Sequence, residues 1–233
     1  MKLLSVLLGL AVVALPTVLY GQDERPPLNP ALIPAAGATI ETFVPAGWKV
    51  EEQISGDLNG DRQGDVALDL IEDIPAENAE GVPNTRMRAL VVLLRGSDGS
   101  LRRAAVATTL LWCTTCGGML GDPSGSGGLV RIEKGVLVVD QLSGSREATN
   151  QVQRFRWDPK QGAMVMIGLD VVDYDRLNGD SQSTSVNYLT GVRIVEKTRY
   201  DKRTDSQKTV SRKKSKVPAR TVPIELAGSV EAR

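Results

Sequence analysis

Short apolar runs, each followed by a cluster of turn residues, constrain the fold of this chain more than any other feature of its sequence. From Trp48 onward such runs recur at short intervals, and Gly, Asp, Asn and Pro separate them. No segment sustains the 3.6-residue apolar period of an amphipathic helix. The pattern therefore predicts an all-β protein in which consecutive strands form antiparallel meanders.

The strand predictions follow these runs directly. They are Trp48–Ile54, Val66–Glu72, Met87–Arg95, Leu101–Leu111, Leu129–Ile132, Val136–Leu142, Val152–Trp157, Met164–Val171, Val192–Tyr200 and Lys208–Lys213. The first four form one group and the next four another, on either side of the Gly-rich stretch Gly117–Gly128, and the last two form a C-terminal hairpin. Two four-stranded groups resemble two propeller blades. Because two blades cannot close a ring, we expect a sandwich or an open partial propeller.

The N-terminal residues have the layout of a secretory signal peptide. Met1-Lys2 carries positive charge, Leu3–Leu15 is apolar, and Pro16 breaks the run before Leu19-Tyr20-Gly21. This layout predicts cleavage after residue 21 and a periplasmic or secreted protein. The alternative is an uncleaved anchor, although a membrane-spanning helix needs about 20 apolar residues. No later stretch has that length, so no membrane span is expected in the mature chain.

The rest of the chain divides into three predicted parts. Residues 22–46 are an extended Pro- and Ala-rich lead-in without packed elements, 47–200 are the β domain, and 201–233 are a basic hairpin arm and tail. Basic residues crowd Arg199–Arg220, which is expected to be a solvated hairpin or to contact anionic surfaces weakly. Lys plus Arg and Asp plus Glu balance at 28 each. This balance does not favour specific nucleic-acid binding.

The segment Asp57–Asp65 carries oxygen-bearing side chains in the spacing D-x-N-x-D-x-x-x-D, at Asp57, Asn59, Asp61 and Asp65. Calcium prefers oxygen ligands from carboxylates, amides, backbone carbonyls and water. Carboxylates about 4 Å apart repel each other by roughly 4 kcal/mol at an effective dielectric constant of 20, so converging carboxylates favour a cation. The spacing predicts a structural calcium site made by these side chains and the backbone carbonyl of Gln63. The alternative is a polar turn whose carboxylates cap backbone amides.

The loop begins like an EF-hand loop and then departs from it. Arg62 stands where Gly is required, and Leu68 stands where a bidentate Glu belongs. With the apolar residues that follow Asp65, the loop resembles the calcium loop of FG-GAP/VCBS-type repeats, which occur in the propellers of integrin α-subunits. In that family the loop joins two adjacent strands of a blade.

Flanking segments extend this resemblance over most of the chain. The chain is similar to a group of exported bacterial proteins that carry one such repeat, and the similarity implies export and a β-rich domain but no particular activity. The segments are Ala46-Gly47-Trp48, Cys113-Thr114-Thr115-Cys116-Gly117-Gly118, Gly121-Asp122-Pro123 and Val186-Asn187-Tyr188-Leu189-Thr190-Gly191. A second acidic cluster, Asp173, Asp175, Asn178 and Asp180, does not repeat the first spacing, and it is interpreted as a polar turn or a second metal site.

Cys113 and Cys116 are the only cysteines, in the spacing C-x-x-C. Haem attachment is excluded because Gly117 occupies the required His position. Zinc is disfavoured because two thiolates fill only half of a tetrahedral site. A local disulfide clamping the turn after the fourth strand and a thiol redox centre remain.

Histidine is absent, which removes Ser-His-Asp and Cys-His nucleophile activation and argues against catalysis. The sequence therefore predicts an exported calcium-binding β domain that binds or scaffolds a protein or polysaccharide at the cell surface. The alternative is a periplasmic thiol-disulfide protein that uses Cys113 and Cys116.

Overall fold

Two antiparallel sheets stack as a β-sandwich in the computed structural model, which describes residues 25–121 and 128–230. The predicted signal peptide and part of Gly121-Asp122-Pro123 lie outside these residues. The five-stranded sheet has the order β1-β5-β4-β3-β2, and the seven-stranded sheet has the order β12-β11-β10-β9-β8-β7-β6. The all-β prediction is confirmed, and the packing is that of a sandwich.

The strands and the short 3₁₀ helices follow one another along the chain. The strands are β1 (Ala36–Gly37), β2 (Trp48–Gly56), β3 (Asp65–Glu72), β4 (Arg88–Arg95), β5 (Leu101–Ala107), β6 (Val130–Glu133), β7 (Val136–Gly144), β8 (Glu147–Asp158), β9 (Ala163–Asp175), β10 (Ser181–Asn187), β11 (Val192–Asp201) and β12 (Ser206–Lys216). The 3₁₀ helices are Pro30–Leu32, Ile40–Phe43, Gly118–Leu120 and Ile224–Ser229.

The five-stranded sheet is covered on both faces, which explains the almost continuous apolar runs of β3 and β4. One face packs on the seven-stranded sheet through side chains such as Ala67 and Val92. The other face lies under the N-terminal segment, from which Leu28, Ile33 and Phe43 are each 3% exposed or less. The expectation of a lead-in without packed elements is therefore wrong for residues 28–44.

The strand counts also differ from the prediction of two four-stranded groups. The predicted C-terminal hairpin is formed by β11 and β12, and both belong to the second sheet. β10 connects them to β9, and it was not predicted because Ser181–Asn187 contains a single apolar residue, Val186. The sequence after the arm is not a loose tail, since Val222, Ile224 and Ala227 are buried in the core between the sheets.

Candidate functional site

The predicted calcium loop connects β2 and β3, which are neighbours in the five-stranded sheet. Gly56 and Asp65 face each other at the point where the strands end. Leu58 is buried in the core between the two sheets, whereas Gly60, Asp61 and Arg62 are exposed. One apolar side chain therefore anchors the loop, and its polar part faces solvent.

The side chains of the loop cap its own backbone. Each accepts hydrogen bonds from amides a few residues further on, as Asx turns do. The pairs are Asp57 Oδ1 with Gly60 N (2.6 Å), Asp57 Oδ2 with Arg62 N (2.9 Å), Asn59 Oδ1 with Asp61 N (2.9 Å) and Asp61 Oδ1 with Gln63 N (2.8 Å). These contacts are those of the polar-turn alternative.

Asp65 has a different environment from the other loop carboxylates because it is completely buried. Its Oδ2 accepts from the amides of Leu58 (2.8 Å) and Asn59 (3.3 Å), and its Oδ1 accepts from the amide of Arg95 (2.8 Å). Burial raises the pKa of the Asp65 carboxyl, and these amide donors act in the opposite direction. Through these hydrogen bonds, Asp65 links the backbone at the start of the loop to the backbone at the end of β4.

The donor chemistry of the loop fits calcium, since all the predicted ligands are oxygens. A carboxylate oxygen has two lone pairs, so the amide contacts of Asp57 and Asp61 leave acceptor capacity. In the part of the chain that the structure describes, however, no three acidic, Cys or His side chains come close enough together to hold a metal ion. The predicted ligands suit calcium chemically, but this loop conformation does not bring its three carboxylates together.

Arg62 adopts the left-handed conformation, with a φ of 68°. This is the position at which an EF-hand loop requires Gly. A non-glycine residue is strained there because its Cβ approaches the following carbonyl oxygen. The loop therefore shares a backbone requirement with calcium loops, although its residue at this position differs.

Substitution of Arg62 by Gly is expected to raise the free energy of unfolding by about 0.5–1 kcal/mol, because Gly relieves this strain. Urea denaturation would measure the change. Gln63→Gly is the matched control, since Gln63 is not among the residues with positive φ and Gly there only adds entropy to the unfolded chain. Equal destabilisation by both substitutions would contradict the prediction.

A cavity of about 590 Å³ lies beside the first half of the loop. The seven-stranded sheet supplies its other wall, through Lys134 and Gly135 of the β6–β7 turn and through Arg156 and Trp157 of β8. The loop and this sheet are in close contact, because a Cβ added to Gly135 would lie 3.5 Å from the Asp57 carbonyl oxygen. Sequence reasoning missed Lys134, Arg156 and Trp157 as site residues, and no local motif marks them.

Cys113 and Cys116 form the predicted disulfide, with their sulfur atoms 2.03 Å apart. Cys113 is buried and Cys116 is exposed. Between them, the Thr114 hydroxyl accepts from the Arg86 amide at 3.0 Å and donates to the Asn84 carbonyl at 2.9 Å. The bridge is therefore held against the segment that precedes β4. This geometry is compatible with both the structural and the redox interpretation.

The second acidic cluster is a turn between β9 and β10. Asp175 pairs with Arg146 at 2.9 Å and accepts from the Leu177 amide at 2.8 Å, and both contacts lower the pKa of its carboxyl. The Asn178 side chain accepts from the Asp180 amide at 2.8 Å, and Asp173 accepts from the Thr149 hydroxyl at 2.6 Å. These contacts are those of a polar turn.

The basic segment Arg199–Arg220 covers the end of β11, the turn that follows, all of β12 and the residues just after it. Residues 206–216 are exposed except for Ser211, which is half-buried. Two of the basic side chains pair with acids of β11, Lys208 with Asp201 at 2.7 Å and Arg212 with Glu196 at 3.5 Å. The segment has the exposure of a solvated hairpin, and weak contact with anionic surfaces stays a prediction.

No protein-family model, curated protein or solved structure matches the chain. The resemblance to FG-GAP/VCBS-type repeats therefore stays a prediction from the motif residues. None of the helices in the described segments is long and apolar enough to cross a membrane.

Proposed function

We propose that this protein is an exported, calcium-binding β domain that binds a macromolecule or polysaccharide. The observation that carries the proposal is the position of the Asp57–Asp65 loop. Two of its oxygen-bearing residues, Asp57 and Asn59, line a cavity to which both sheets contribute. An ion held there would fix one wall of a binding site while taking no part in a reaction.

Calcium would be held by Asp57, Asn59, Asp61, Asp65 and the Gln63 carbonyl. When bound, it supplies charge neutralisation for carboxylates that otherwise repel one another. Leu58 and Asp65 already fix the two ends of the loop in the fold, so the ion would order mainly the exposed residues between them. The expected affinity is that of an extracellular module, with a Kd of about 10⁻⁴–10⁻³ M.

Calorimetric titration with calcium tests the proposal. Asp61→Asn is expected to weaken binding by about tenfold or more, because it removes one ligand charge and retains the oxygen that accepts from the Gln63 amide. Asp98→Asn is the matched control, since Asp98 caps Ser100 at 3.0 Å in the β4–β5 turn as Asp61 caps Gln63 at 2.8 Å. The absence of calcium binding in the wild type, or equal binding in Asp61→Asn, would refute the proposal.

A thiol-disulfide function is the second candidate, favoured by the exposure of Cys116 beside the buried Cys113. An exposed cysteine is more accessible to an attacking thiolate than a buried one. The reduction potential separates the two functions, because structural disulfides lie below about −300 mV and catalytic ones lie higher.

A further inference from the structure

Three cavities follow one another along one side of the sandwich. The cavity beside the loop shares Arg156 and Trp157 with a second cavity of about 430 Å³. The second shares Tyr188 and Arg220 with a third of about 410 Å³. The three cavities are thus adjacent, and we name the surface that they form together the basic groove. Each cavity alone has the size of a small-molecule site, so the series suits an extended ligand.

Four basic side chains line the basic groove: Lys134, Arg156, Lys160 and Arg220. None of them forms an ion pair with a carboxylate of the described residues. Other arginines of the same sheet are paired, as Arg131 is with Glu133 at 2.6 Å and Arg154 is with Asp170 at 2.5 Å. The lining therefore carries four positive charges against the two negative charges of Asp57 and Asp158, which leaves an excess of positive charge.

Asp158, an acidic residue in the middle of the groove, forms its hydrogen bonds within its own turn. Asp158 Oδ1 accepts from the Lys160 amide at 2.9 Å, and its Oδ2 accepts from the Gln161 side chain at 2.8 Å. Both contacts lie within the β8–β9 turn. Asp158 therefore shapes this turn, and it leaves the guanidinium of Arg156 available to a ligand.

Two aromatic side chains accompany these charges. Trp157 lines the first two cavities and is half-buried. The Arg220 guanidinium lies 5.5 Å from the centroid of the Tyr188 ring, a cation–π contact that restrains its orientation. Aromatic rings offer flat apolar surface at binding sites, and Arg forms paired hydrogen bonds with carboxylates and other oxyanions.

We infer that the basic groove binds an acidic polysaccharide, whose sugar rings pack on Trp157 and whose carboxylate or sulfate groups pair with Arg156 and Arg220. A linear polymer of charged rings matches a groove of adjacent cavities in which aromatic and cationic side chains occur together. The inference deepens the proposed function by naming its ligand class, and it rests on that function for the role of the loop. Calcium at the loop would cancel the negative charge of Asp57 at one end of the groove, and it would therefore strengthen binding of an anionic chain.

Calorimetry with a hyaluronan decasaccharide, in calcium and in chelator, tests the inference, with neutral chitohexaose as the control ligand. Arg156→Gln is expected to weaken hyaluronan binding by about tenfold, the worth of one charge-assisted hydrogen bond. Arg156 is exposed, so the variant is expected to fold. The matched control is Lys213→Gln with Lys214→Gln, which removes two exposed charges from the arm and is expected to change binding less than twofold.

Three results would overturn the inference: chitohexaose binding as tightly as hyaluronan, an equal loss in the arm variant, or equally tight binding of a polyglutamate or oligonucleotide of the same charge. Equal affinity in calcium and chelator, with the Arg156→Gln loss retained, would refute the role of calcium and leave the groove in place. Calcium binding by the loop without any hyaluronan binding would refute the groove and leave the proposed function standing.

Discussion

Replacement of Glu51 by Ala is expected to lower the free energy of unfolding by about 3–5 kcal/mol. Glu51 forms a paired contact with Arg88, at 2.6 Å to Nε and 2.9 Å to Nη2, and the two side chains are 4% and 2% exposed. Arg88 also donates to the Trp112 carbonyl at 3.1 Å. Loss of Glu51 removes a carboxylate and two hydrogen bonds from a buried guanidinium, so the desolvation of that guanidinium is compensated less well.

Urea denaturation of the two variants Glu51→Ala and Glu133→Ala provides the test. Glu133 pairs with Arg131 at the same 2.6 Å, but their side chains are 58% and 41% exposed. An exposed ion pair contributes about 0–1 kcal/mol because water already solvates both charges. A loss below 1 kcal/mol for Glu51→Ala, similar to that of Glu133→Ala, would show that the buried pair does not stabilise the sandwich.

Replacement of Ile224 by Ala is expected to cost about 2–5 kcal/mol of stability. Ile224 is completely buried among core residues of both sheets. The backbone around it is fixed as well, since Pro223 bridges to Val165 and the Ala227 carbonyl accepts from Gln153 at 3.0 Å. The substitution leaves a cavity that this restrained segment cannot easily close.

Leu226→Ala is the control for that experiment, because Leu226 belongs to the same 3₁₀ helix and is 62% exposed. Its expected effect is within about 0.5 kcal/mol. Thermal or urea unfolding followed by circular dichroism would compare the two variants. If Ile224→Ala lowered the free energy of unfolding as little as Leu226→Ala, burial of the C-terminal segment would not contribute to stability.

The fold was predictable where apolar residues are dense. β3 and β4 carry seven consecutive buried residues each, and such runs are visible in the sequence. β10 was missed because its strand character comes from pairing with β9 and β11, and its own residues are mostly Ser, Thr and Gln. The packed residues Phe43 and Ile224 were missed because each lies in a short segment that Pro interrupts and that has no strand-like apolar run. Their burial depends on tertiary packing, because residues distant in the sequence form the surface that covers them.

The candidate site was predictable only in part, for a similar reason. The spacing of Asp57, Asn59 and Asp61 locates the loop, because local hydrogen bonds between close neighbours decide its shape. Arg156 and Trp157 reach the same cavity from the other sheet. Only the packing of one sheet on the other brings these distant residues together, and no local pattern encodes it.

The position of β12 at the end of the seven-stranded sheet has a consequence for how copies of the protein meet. A terminal strand presents backbone donors and acceptors to any second strand, and sheets joined in this way aggregate. β12 carries Lys208, Arg212, Lys213, Lys214 and Lys216, all exposed. Two such strands approaching each other would align like charges along their whole length. The basic residues of the arm therefore oppose edge-to-edge pairing of two copies through β12.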